Sequence, residues 1–215
     1  MPTTGPARRT YDSSARQAAA ERNRTAVLAA FRDLLTSNGY QATTVKAVAS
    51  LAGVSTETVY KAFGGKPGLM KALWDVTLAG DDQPMTMAER PALQAVLGAQ
   101  GLSAKLQLWV DFVSTYHERL APLAGLLAQA GSAAHELLET VEHERLVGVS
   151  AFLRHLAGEG LLSADVNVDR LADACWTITA PDAFTRLTLG RGWSVADYRA
   201  WLHVTLTALL RASHP

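Results

Sequence analysis

A single cysteine among 215 residues excludes an internal disulfide, so nothing in this chain is stapled. Cys175 falls in an apolar helical pattern, where a free thiol reads as a small buried hydrophobe in a reducing compartment. No apolar run approaches the roughly 20 residues a membrane-spanning helix needs, which argues against a membrane protein. There is no low-complexity tract, and no segment carries a convincing strand signal. The pair Arg8-Arg9 is not followed by an apolar stretch, since Ser13 to Arg24 is polar and Ala-rich. No targeting signal is therefore read, and a soluble cytoplasmic protein is expected. With 48% apolar and 19% charged residues, the chain has ample material for a core of one large or two small domains.

The signatures of catalysis are also missing. There is no G-x-S-x-G, P-loop or dinucleotide-binding glycine pattern, and Cys175 has no histidine near it in sequence. The histidines show no HExxH spacing; His135 with Glu139, and His143 with Glu139 or Glu142, read as a solvated helical face rather than a metal site. Neither a metal nor a cofactor is expected. A helical enzyme of unfamiliar type and a helical protein-interaction adaptor remain as alternative classes.

The formal net charge is zero, but it is unevenly spread. Residues 1–66 hold nine basic side chains (Arg8, Arg9, Arg16, Arg22, Arg24, Arg32, Lys46, Lys61, Lys66) against four acidic ones (Asp12, Glu21, Asp33, Glu57). That leaves +5 there and −5 in the remainder, as for a polyanion-binding module joined to a different body. Residues 1–15 mix Pro, Gly, Ser and Thr with arginine and are expected to be a disordered arm. Arg16 to Asn38 reads as a support helix with Val27, Phe31, Leu34 and Leu35 on one face, ending at Gly39.

The most informative stretch runs from Thr43 to Met70. Val45, Val48, Ala49 and Ala52 recur on one face of a short helix, with Thr43 placed to cap it and Gly53 to stop it. Ser55 then caps a second short helix that buries Val59 and Phe63 and leaves polar residues outward. A helix–turn–helix is implied, although the same pattern also suits a plain αα-corner. The order T-T-V-x-x-V-A-x-x-A-G-V-S-x-x-T-V-Y-x-x-F-x-x-K resembles the DNA-binding domain of TetR-family transcriptional repressors.

That resemblance implies an all-α fold. A three-helix DNA-binding domain over 16–66 would precede a helical ligand-binding and dimerisation domain over 67–215. It implies Thr43, Thr44, Tyr60 and Lys66 as phosphate contacts, with Lys46, Thr56, Glu57, Thr58 and Lys61 facing base edges and Ser55 at the cap of the reading helix. Glu57 serves equally well as an acid at the positive end of the helix dipole. Ala62 departs from the family, in which many members carry histidine. The helix beginning at Lys66 lacks a side-chain cap, and Gly68, a poor helix former, reads as a hinge or, preferably, as drift at a tolerant position.

Residues 80–101 are expected to be a linker with at most one short helix. Helices then follow over Leu102–His117, Leu123–Gln129 after an interrupting Pro122, Ala133–Gly158 and Val168–Ala180, with a last one opened by a Ser194–Asp197 capping box. The wording W-x-x-T-x-P-x-x-F, then R-G-W-S and Y-x-x-W-L, also resembles tails of the same family. Trp109, Phe112, Tyr116, Trp176 and Phe184 are the candidate lining for a small apolar or aromatic effector, each also able to serve as plain core. Tyr198, Trp201, Leu202, Thr205, Leu206 and Leu209 form a broad apolar band expected to seal a homodimer. The partner would be an inverted-repeat operator in double-stranded DNA.

Overall fold

Each element of the N-terminal part is bounded by a residue whose chemistry stops or starts a helix. The computed structural model describes residues 13–212; it is helical, with no strand among the described residues, and divides into two units between Leu69 and Met70. In the first unit, α1 spans Ser13–Ala42 and is broken near its end at Gly39, where φ is +75°. It starts at Ser13 rather than Arg16, and the rest of the expected arm, with Arg8 and Arg9, lies outside the described residues. α2 (Val45–Ala52) and α3 (Thr56–Phe63) follow. α4 (Lys66–Ala79) contains the division between the units.

The cap of α2 is Thr44, whose hydroxyl accepts from the Ala47 N–H at 3.1 Å. Thr43 is instead buried, its hydroxyl donating to the Gly39 carbonyl at 2.8 Å. Thr43 therefore ties off the end of α1, which corrects its expected role as cap. At the other end of α2, Gly53 takes a left-handed conformation, and the Val54 N–H reaches back to the Ala49 carbonyl at 3.0 Å. This closes the helix as a Schellman turn and leaves Ser55 to open the next one. Val27, Phe31, Leu35, Val48, Val59 and Leu69 are all within 1% of complete burial, so α1, α2 and α3 share one core. Side chains of this size each contribute about 1.5–3 kcal/mol on burial, far more than an eight-residue helix could supply alone.

Gly68 has a structural reason that its low helix propensity conceals. A Cβ at this position would lie 1.7 Å from the Phe63 carbonyl oxygen. Only a residue without one lets α4 start so close to the end of α3. The reading of Gly68 as drift is therefore corrected.

The second unit is built on α6 (Gly101–Gln129), a 29-residue helix against which α5 (Pro91–Gly98), α9 (Pro181–Thr185) and α10 (Val195–Ala212) pack. α7 (His135–Gly158) packs on α8 (Val168–Ile178). Pro122 was expected to interrupt, yet it lies inside α6. Leu120, Leu123 and Leu127 are buried on either side of it while Pro122 itself is exposed, so apolar anchoring outweighs one lost backbone bond that water can replace.

The expected linker is also more ordered than its composition suggests. Arg90 is buried and donates to both carboxylate oxygens of Asp81, at 3.0 and 2.8 Å. The Gln83 N–H and this guanidinium hold the Asp81 carboxyl below its ordinary range. Lys105 on α6 is completely buried, donating to the Leu97 carbonyl at 2.5 Å and meeting His155 Nε2 at 2.9 Å and Glu159 at 3.2 Å. It closes the end of α5 with a charge that no sequence pattern marked as internal.

Candidate functional site

In the first unit, most of the residues read as DNA-facing are exposed on α2, α3 and their caps. Ser55 Oγ accepts from the Thr58 N–H at 3.1 Å and meets the Thr58 hydroxyl at 2.9 Å, so both are engaged in the cap of α3. Thr44, Lys46, Ser55, Thr56, Glu57 and Lys61 are exposed and Thr58 is half-buried. Tyr60 is 56% exposed while its neighbour Val59 is fully buried, which is the division a surface-presenting helix needs. Thr43 does not join them, because its side chain is 1% exposed and bonded internally. Lys66 is half-buried; its ammonium lies 4.1 Å from the centre of the Tyr40 ring and 3.4 Å from the Gln41 carbonyl, and burial lowers its pKa. It thus closes the end of α1.

In the second unit, α6 places Tyr116 and His117 in the interior. His117 Nδ1 meets the Tyr198 hydroxyl at 3.1 Å, and burial, aided by the Arg145 charge, lowers its pKa to about 3. The Thr179 backbone pulls the other way, and Nε2 is buried with no partner in hydrogen-bond geometry. Phe184 packs edge-on to Tyr198 at 4.9 Å and lies 5.8 Å from the His117 ring. Arg145 on α7 reaches the Trp176 carbonyl at 2.5 Å and the Thr179 hydroxyl at 3.4 Å, pairs with Glu142, and covers the Trp176 ring at 4.8 Å. Trp176 Nε1 is likewise buried without a partner.

Of the five expected lining residues, Tyr116, Phe184 and Trp176 are thus linked through His117, Thr179 and Arg145, and Phe112 joins by an edge contact with Tyr116 at 5.3 Å. Trp109 is stacked on Phe152 at 4.4 Å and serves the core. Among the described residues no group of carboxylates, histidines and cysteine could hold a metal. Burial pushes the Cys175 thiol up to about 12, so it is chemically quiet.

Residues 27–73 match the family model of bacterial regulatory proteins of the tetR family. The chain carries the DNA-binding domain of the tetR family. No curated protein matches it in sequence. Solved structures share its fold along most of its length. One is a protein from Syntrophomonas wolfei assigned to the TetR family of transcriptional regulators, 16% identical, covering 88% of this chain and 95% of its own, with a TM-score of 0.67. FadR from Bacillus subtilis, in complex with stearoyl-CoA, is 18% identical over 88% of this chain and 99% of its own, with a TM-score of 0.64. The flavonoid-responsive regulator FrrA is 20% identical over 89% and 97%, with a TM-score of 0.63.

Three of the six residues expected to seal a homodimer are internal to the second unit. Tyr198, Leu202 and Leu206 have no exposure within a single chain, so they are core of the second unit and cannot also face a partner. Trp201, Thr205 and Leu209 are half-buried. The apolar side chains that α10 and its approach leave outside are Val204 at 67%, Leu189 at 73% and Trp193 at 37% exposure. Arg145 has no place among the expectations from sequence, Thr179 figures only within the W-x-x-T-x-P-x-x-F wording, and His117 only among the histidines tested as metal ligands. His117 had a signal, since it continues the stripe of Trp109 and Val113 at i+4 spacing. Arg145, in the charged run EHERL, had none.

Proposed function

We propose that this chain is a transcriptional repressor that binds an inverted-repeat DNA operator as a cytoplasmic homodimer and releases it when a small apolar or aromatic molecule enters the second unit. The observation that carries the reading is α3: two buried side chains anchor it and its polar residues are left outward from a capped start. A helix too short to stand alone, held by a core and presenting hydrogen-bonding groups, suits the major groove. Thr44, Tyr60 and Lys66 take phosphates; Lys46, Thr56, Thr58 and Lys61 meet base edges. Glu57, in the first turn, favours the helix dipole and reads cytosine where it reaches a base.

The dimer seam uses the outward side of α10, with Val204 at its centre and Ala200, Ala208 and Trp193 around it. Its two-fold axis would set half-sites about 34–36 Å apart, or a multiple. The stearoyl-CoA held by FadR and the flavonoid response of FrrA support an effector of apolar or aromatic character. The test is selection of duplexes from a random pool by the full chain, followed by binding at several salt concentrations. An inverted repeat with steep salt dependence is expected. Failure to enrich any sequence refutes the reading.

A further inference from the structure

The second unit contains polar atoms with nothing to bond to, two of them on residues linked by the contacts already described. His117 Nε2 and Trp176 Nε1 are both buried and unpartnered, as is the hydroxyl of Ser114, one helical turn before His117 on α6. His117 and Trp176 are joined through Thr179, which approaches the first and bonds the Arg145 that covers the second. Burying a polar group without a partner is costly, so two on linked residues call for a reason. Around them stand aromatic faces from three helices: Tyr116 at 4.5 Å from the His117 ring, Phe184, and the Trp176 ring itself. A π-helical turn at Arg186–Gly190 directly follows the helix carrying Phe184, a local irregularity that often accompanies binding sites.

The chemistry of the unpartnered atoms selects the ligand. The indole N–H of Trp176 only donates, so it requires an acceptor. His117 is neutral, with its other nitrogen engaged by Tyr198, so Nε2 offers a proton or a lone pair according to which way the tyrosine proton points. The Arg145 charge, on a side chain 10% exposed, is already matched by Glu142. A carboxylate ligand would bring a second negative charge beside Glu142 with no further cation in the cluster to balance it. We propose that His117 and Trp176 are the polar anchors of the effector site, and that they hold one uncharged oxygen, a ketone or phenol, of an otherwise apolar aromatic molecule. This rests on the reading of the second unit as the effector-binding part, and names the class of molecule it takes.

Four probes on one two-ring skeleton test it: benzophenone, 4-benzylphenol, diphenylmethane and 4-benzylbenzoate, followed by tryptophan fluorescence and unfolding temperature of the full chain without DNA. The ketone or the phenol is expected to bind about tenfold more tightly than the hydrocarbon, as one hydrogen bond allows, with the carboxylate weakest. Trp176→Phe and His117→Phe should each remove about that tenfold preference, and His117→Gln, which returns a polar nitrogen near the same place, should recover part of it. A hydrocarbon that binds as well as the ketone and the phenol overturns the proposal. So does a carboxylate that binds best, a preference that survives both Phe variants, or no response to any probe. Duplex selection run in parallel separates the two readings. A chain that selects an operator but ignores the oxygen refutes this inference alone. A chain that prefers the oxygen but selects no duplex refutes the regulator and leaves the site standing.

Discussion

Acid should destabilise the second unit through one side chain, His117. Burial, with Arg145 adding to it, lowers its pKa from an ordinary 6.5 to about 3, so the folded chain keeps it neutral where the unfolded chain would charge it. Below pH 6.5 the unfolded state therefore binds a proton that the folded state refuses, and stability falls as pH drops from there toward 3. At 1.36 kcal/mol per unit, moving from pH 7.5 to pH 5.0 should remove about 2 kcal/mol from this group alone. All five tryptophans, from Trp74 to Trp201, belong to the second unit, so urea unfolding followed by tryptophan emission reads that unit without interference from the first. His117→Phe keeps a ring in place and cannot titrate. It leaves the Tyr198 hydroxyl short of a partner at both pH values, which the pH difference cancels. The variant should lose about 2 kcal/mol less than the wild type between the two conditions, at matched protein concentration because assembly also contributes. Equal losses in wild type and variant would refute the argument that a buried neutral imidazole sets the acid limit.

Gly68→Ala should destabilise the first unit by about 1–3 kcal/mol despite the better helix propensity of alanine, since its Cβ would strike the Phe63 carbonyl; a far-UV circular dichroism melt that is unchanged or raised would contradict this. Leu202→Ala should cost about 2–5 kcal/mol in tryptophan-monitored unfolding, as a fully buried leucine does, whereas Val204→Glu should leave the fold intact and yield monomers in sedimentation. A Val204→Glu chain that stays dimeric would remove α10's outward side from the seam. Lys46→Ala should relax preference at one base position per half-site by about 1–3 kcal/mol, while Lys66→Ala should lower the salt slope of DNA binding by about one; identical, sequence-blind losses would undo the distinction between them.

The helix–turn–helix was legible in sequence because nearly all of its determinants are local. Gly53 in a left-handed turn, Ser55 at a cap, and the alternation of Val59 and Phe63 with polar neighbours each act within a few residues, and the folded chain uses them as read. The Ser194–Asp197 box opening α10 is local in the same sense, with the serine hydroxyl donating to the carboxylate at 2.7 Å. What tertiary structure alone decided concerns what covers a face. Helical periodicity marks Leu202 and Leu206 as apolar, but a stripe is equally apolar whether its own chain or a second copy buries it, and here the chain's own helices do. Thr43 and Thr44 are equivalent as caps until the end of α1 claims Thr43. Gly68 looks like a defect until the Phe63 carbonyl is placed beside it, and Pro122 looks like a stop until buried leucines on both sides hold the helix through it. Nothing local marks Arg145 and Lys105 as internal, because their partners are backbone carbonyls and side chains brought from other helices, and only the assembled fold puts those acceptors within reach.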